Sequence, residues 1–152
     1  MTTKFLFSFI VLVLTFSSCS NDGNTQDTII ETPNISGSWK PSRYEFKGKS
    51  YAVSDCEKKG QLLVNTDFTG VYERYGIGID NNCNKFDSFS GKWDYDKMGK
   101  ILTLTYMENG INKTLTKEIV DFSSIELKIL DSSKDLDGIP GNDEATLVFI
   151  QQ

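Results

Sequence analysis

From Asn34 onward the apolar residues return at every second position, in short runs broken by turn-forming residues. Ile125-Glu126-Leu127-Lys128-Ile129 alternates strictly, and Ile101-Leu102-Thr103-Leu104-Thr105-Tyr106 is rich in β-branched and aromatic side chains. A period of two puts alternate side chains on opposite faces, which a strand can use and a helix cannot. Leu147-Val148-Phe149-Ile150 reads as a closing strand. Turn chemistry stands between the runs: Asn65 to Gly70 (NTDFTG), Asp94 to Gly99 (DYDKMG), Glu108-Asn109-Gly110 with its Asn-Gly pair, and Asp121 to Ser124. Eight strands are expected, at about 37–46, 60–65, 70–78, 86–95, 100–107, 112–121, 124–131 and 144–151. Residues 49 to 59 (KSYAVSDCEKK) leave room for one short helical turn or an extra strand. Within the third strand, alternation of Tyr72-Glu73-Arg74-Tyr75 is expected to turn Tyr75 inward with Val71 and Ile77, and Arg74 outward.

Eight short strands joined mostly by tight turns predict an all-β fold, an eight-stranded antiparallel up-and-down barrel. Closure abolishes the exposed edges that invite aggregation; an open sandwich is the rival arrangement. About 117 residues suffice to bury one core of this kind.

Composition narrows the chemistry. The 152 residues contain no histidine, which removes the commonest general base and metal ligand and every Ser-His-Asp or Cys-His arrangement. Sixteen basic side chains stand against 21 acidic ones, a net charge of −5, and the basic residues are scattered rather than striped. Phosphate backbones are repelled on average, so no nucleic-acid partner is expected.

The first 18 residues divide into three regions. Lys4 is a positive start, Phe5 to Phe16 form an apolar run broken only by Ser8 and Thr15, and Ser17 and Ser18 are small. A run of about a dozen residues is too short to cross a hydrocarbon core that needs about 20. The order fits a secretory signal. Phe16-Ser17-Ser18-Cys19 resembles a lipobox, although Phe16 stands where leucine is more usual. The resemblance implies that Cys19 receives a diacylglycerol and holds the chain to a bacterial membrane; the alternative is an ordinary signal peptide cleaved after Ser20. Residues 20 to 34 (SNDGNTQDTIIETPN) are polar and read as a tether. The expected organisation is a signal peptide over 1–18, a tether over 19–34 and one β-domain over 35–152, in the cell envelope and most simply at the outer membrane.

With Cys19 lipidated, Cys56 and Cys83 remain. An even remainder in an oxidising compartment favours a disulfide, closing a loop of about 28 residues for roughly 3–4 kcal/mol. Free thiols and a metal site are the alternatives, and two cysteines without histidine are too few for a closed zinc site.

Gly37-Ser38-Trp39 on the first strand resembles the Gly-x-Trp opening of lipocalin-type barrels, and Gly91-Lys92-Trp93 repeats it on the fourth. With Cys56 and the Asp67-Phe68-Thr69-Gly70 hairpin between them, this order is similar to the bacterial lipocalin-like lipoproteins, over residues 35 to 150. The resemblance implies a lipocalin-like barrel. Trp39 is expected to plug one end of it, with Gly37 giving close backbone approach, and Trp93 and Tyr95 to share an inward face. The domain is shorter than familiar lipocalins, which leaves a side-chain-filled interior as the alternative to a ligand cavity.

One loop carries candidate metal ligands. Asp131 to Glu144 (DSSKDLDGIPGNDE) holds Asp135, Asp137, Asp143 and Glu144 around two glycines and a proline. Asp135-x-Asp137-Gly138 resembles the start of calcium loops, and Gly138-Ile139-Pro140 resembles thrombospondin type 3 repeats, so calcium is the one cofactor to consider. A solvated acidic loop is the plainer reading. Asp94 and Asp96 lie at a turn and have no second partner of known position. No catalytic residue is assigned. The expected function is a membrane-anchored, non-enzymatic binding module for a small apolar or amphipathic ligand. The alternative is an envelope accessory with a filled barrel, acting through a protein partner whose identity the residues do not indicate.

Overall fold

A computed structural model of the chain describes residues 34–139 and 144–152. The leader, Cys19 and nearly all of the tether lie outside the described residues, as does Asp143. Nine strands follow one another: β1 Gly37–Phe46, β2 Lys49–Ala52, β3 Gln61–Val64, β4 Thr69–Ile77, β5 Cys83–Asp96, β6 Ile101–Glu108, β7 Ile111–Phe122, β8 Glu126–Asp131 and β9 Ala145–Gln151. Among the described residues one 3-10 turn, Glu57–Lys59, lies between β2 and β3. The stretch left open between a helical turn and an extra strand thus contains both. Among the described residues no helix is long and apolar enough to cross a membrane.

Each strand from β3 to β8 pairs antiparallel with the next, and β9 pairs with β1 from Trp39↔Gln151 to Glu45↔Thr146. That last pairing closes an eight-stranded barrel. β1 serves two partners along its other edge, β3 over Gly37–Trp39 and β2 over Arg43–Phe46. Between them this edge has no strand partner, and Pro41, which cannot donate to a ladder, stands there. A bulge between Pro41 and Arg43 keeps Trp39 and Tyr44 both buried although they are five residues apart.

The two ends of the barrel are built differently. At the end where β1 begins, Trp39 is fully buried, packs edge-on to Phe122 at 5.8 Å, and donates its indole N–H to the Ile35 carbonyl at 2.9 Å. Trp93 lies in the same cluster with Leu62, Leu104, Ile119, Leu127 and Phe149. Its indole N–H reaches the Leu63 carbonyl at 2.9 Å, and its backbone N–H bonds the Phe68 carbonyl at 2.7 Å, fastening the β3–β4 turn to β5. Gly70 and Gly91 make this possible. They face each other in register; a Cβ on Gly70 would stand 1.9 Å from the Leu63 carbonyl oxygen, and one on Gly91 would stand 2.0 Å from that of Thr105. Tyr95 is half-buried against the same cluster.

Outside, Val148 is fully buried although its neighbours on β9, Leu147 and Phe149, are the inward ones. It stands in register between Arg43 and Lys128, and these are laced together by Arg43–Glu45 and Arg43–Glu126 at 2.7 Å and Lys128–Glu45 at 3.0 Å. The side-chain stems cover the seam while the charged heads stay at the surface. One correction concerns β4. Tyr72 is buried, Arg74, although exposed, lines the same hollow as Tyr72 and Asp87, and Ile77 is exposed. Tyr75 lies under Lys85, 5.4 Å from ring to ammonium. The inward set is therefore the even-numbered one.

Replacing Trp39 by Ala should cost about 3–5 kcal/mol, the usual loss for a buried aromatic. Thermal unfolding of the variant measures it; a change under about 1 kcal/mol would remove Trp39 from the core's essential contacts.

Candidate functional site

At the opposite end, where β1 finishes, the side chains do not fill the barrel. A cavity of ≈ 400 Å³ is lined by Tyr44, Tyr72, Arg74, Phe86, Leu147 and Phe149 from the strands, Ser54 and Glu57 from the β2–β3 segment, and Asp131, Ser133 and Lys134 from the end of β8 and its loop. A second hollow of ≈ 460 Å³ shares Tyr72, Arg74, Asp131 and Ser133 with it and adds Lys117 and Leu115.

A lid of two segments crosses this mouth. Ser54 and Glu57 exchange hydrogen bonds: the Ser54 backbone N–H donates to Glu57 Oε2 at 2.8 Å, and the Glu57 N–H donates to Ser54 Oγ at 3.2 Å. This is the reciprocal pattern of a capping box, which the Ser54-x-x-Glu57 spacing makes available. The other Glu57 oxygen takes Lys134 Nζ at 2.8 Å and the Tyr44 hydroxyl at 3.3 Å. Glu57 thus clasps the β2–β3 segment to the β8–β9 loop. Burial pushes its pKa upward, but the Lys134 ammonium and the Ser54 donors outweigh that and hold it below the usual carboxylate range. A disulfide, Cys56–Cys83, ties the same segment to the start of β5. Lys134 also sits 5.0 Å over the Tyr44 ring.

Beneath the lid the interior is polar and aromatic together. Arg74 donates to Asp87 at 2.6 Å and lies 5.5 Å over the Phe86 ring; burial opposes its charge, and Asp87 more than compensates. Burial pushes the Tyr72 hydroxyl up to about 12, and the Tyr44 hydroxyl is raised mainly by burial and then by Glu57. Both tyrosines are therefore neutral hydrogen-bonding groups at physiological pH.

The described part of the acidic loop, residues 131–139, stands beside this mouth. Asp135 Oδ1 accepts the backbone N–H groups of Asp137 and Gly138 at 3.1 and 2.7 Å, and Asp137 bonds Lys47 at 3.0 Å. Glu144 is exposed at the foot of β9. Among the described residues no three acidic or cysteine side chains converge as a metal centre requires. Gly37, Trp39, Gly91 and Trp93 lie in the packed end of the barrel, away from the cavity. Sequence reading gave Tyr72 and Arg74 only a place in the alternation of their strand, with Arg74 outward and no functional role, and did not single out Glu57. Only Glu57 carries a local signal, its spacing from Ser54.

Two outcomes follow for the lid. Reducing the disulfide should remove roughly 3 kcal/mol of stability for a loop of this length, read as a fall in Tm with dithiothreitol. Glu57→Gln should cost about 1 kcal/mol at neutral pH, discounted for partial exposure. Because the folded-state pKa is depressed, this stability is present above the ordinary carboxylate pKa of 4.5 and lost as pH falls through the lower folded value. The variant should show a shallower loss of stability than the parent below that pH in acid titrations followed by circular dichroism. Parallel curves would remove Glu57 from the clasp.

No curated protein and no solved structure matches the chain. The family model of the lipocalin-like domain matches residues 35–129, from the residue that caps Trp39 to the middle of β8. A closed antiparallel barrel that is packed at one end and open at the other agrees with that match, and the chain belongs to the lipocalin-like domain family.

Proposed function

We propose that the protein is a non-enzymatic binding module that holds a small apolar or amphipathic molecule at the lidded end of its barrel. The observation that carries this reading is the cavity of ≈ 400 Å³ with Tyr44, Tyr72, Phe86, Leu147 and Phe149 in its wall. Its wall is aromatic and aliphatic with a few polar groups among them, and binding sites are concave, mostly apolar and pointed with a few polar groups. The lid supports it too: its two segments meet through the Glu57–Lys134 ion pair, so entry requires that surface contact to part while Cys56–Cys83 keeps the β2–β3 segment tied to β5. Neutral tyrosine hydroxyls and a paired arginine favour recognition over proton transfer.

We further propose that the module works from a bacterial envelope membrane, the outer membrane in the simplest case, attached through acylated Cys19. The support is the charged, apolar and small-residue order of the leader ending in a cysteine. Two or three acyl chains at about 0.8 kcal/mol per buried methylene make such an attachment effectively permanent.

Leu147→Trp should fill the cavity and lower the affinity for an apolar fluorescent probe such as 1-anilinonaphthalene-8-sulfonate by about tenfold while melting stays cooperative. Unchanged probe binding would place the ligand elsewhere. Cys19→Ser should move the protein from the membrane pellet to the soluble fraction, and a variant that still sediments would end the lipid-anchor reading.

A further inference from the structure

The wall of the barrel is incomplete beside the cavity. β7 pairs with β6 along its first eight residues, Ile111–Glu118, but meets β8 only from Ile119 to Phe122. Above Ile119 the two strands separate, and the second hollow lies in the gap, with Thr116, Lys117 and Glu118 on one side and Leu130 to Ser133 on the other. Lys117 belongs to the inward set of β7, between Leu115 and the buried Ile119.

Among the described residues Lys117 is the cation lining these hollows without a counter-ion in contact. Arg74 has Asp87 at 2.6 Å and Lys134 has Glu57 at 2.8 Å. Among the described residues no carboxylate lies within ion-pair distance of Lys117, whose ammonium instead rests 5.0 Å over the Tyr72 ring. Burial pulls its pKa down, with Asp131 and Asp87 acting in the opposite sense and Arg74 in the same one. Asp131 also lines the gap, on the β8 side, with its Oδ1 engaged by the Ser133 N–H and hydroxyl at 3.0 and 2.6 Å. A half-buried charge with its water partly stripped, an aromatic face beneath it and no carboxylate in contact, although Asp87, Glu118 and Asp131 line the same hollow, gains from an anion brought against it. The two hollows meet at Tyr72 and Arg74, so one molecule can place a charged head in the gap and an apolar tail in the main cavity.

Building on the binding-module reading, we infer that the ligand is a single-chain amphiphile with one carboxylate head, seated on Lys117 in the β7–β8 gap with its tail under the lid. The test uses the full chain carrying Cys19→Ser, free of detergent, titrated calorimetrically with dodecanoate, dodecan-1-ol and dodecyltrimethylammonium. Dodecanoate should bind about tenfold or more tighter than the alcohol, the worth of one charge-assisted hydrogen bond, and the ammonium compound weakest. Lys117→Met keeps the stem, removes the charge and should melt at or above the parent's temperature; it should bring dodecanoate down to the alcohol's affinity and leave the alcohol unchanged. Lys117→Gln should do the same, and Asp131→Asn should tighten dodecanoate alone. If the alcohol binds as tightly as dodecanoate, or Lys117→Met preserves the preference, the head assignment falls and the binding module stands. If none of the three binds, both fall.

Discussion

The pairing of β9 with β1 is the constraint on which the rest of the molecule depends. A sheet of this length has two edges, and joining them satisfies both rows of backbone groups at once. Closure then decides which side chains meet, since Trp39 near the start of the domain and Gln151 at its end become neighbours in one ladder. It also leaves β1 with one edge to share between two strands. β3 takes one end of that edge and β2 the other, so the chain between them must leave the wall. It goes over the mouth. The lid is thus a consequence of how the barrel closes.

The ends differ for reasons of packing. At the tryptophan end, facing glycines let strands and indoles approach closely enough for both indole N–H groups to find carbonyls, and large side chains occupy the space without leaving a polar group unpaired. At the lidded end the inward positions carry Tyr72, Arg74, Asp87 and Lys117. Long polar side chains pair along the walls and leave the centre vacant. A cavity persists there because collapse would force those charges into an apolar centre at greater cost.

Most strand positions were legible because one face of each strand is buried and a period of two survives in the sequence: β1, β4, β6 and β9 fall within a residue or so of expectation. Asn109 and Gly110, with positive φ, form the hairpin that their chemistry foretold. The inward face of β4 was not legible. Val71, Tyr75 and Ile77 are more apolar than Tyr72, Arg74 and Gly76, and apolarity is a guide to the inside only where the inside is dry. Near the mouth it is not. The cysteine pair was readable from count and compartment, whereas the Glu57–Lys134 clasp joins residues 77 apart in the chain and no local pattern specifies it.

By itself the sequence determined the class of fold, the turn positions and the want of histidine chemistry, because each is written in nearest neighbours or in composition. Tertiary structure alone decided the register in which β1 closes on β9, that residues 53–60 become a lid, and that β7 and β8 part beside Lys117. Those outcomes depend on long-range register and on bulges at Ser42, Phe86 and Val120, where one extra residue resets which face the later side chains of that strand occupy.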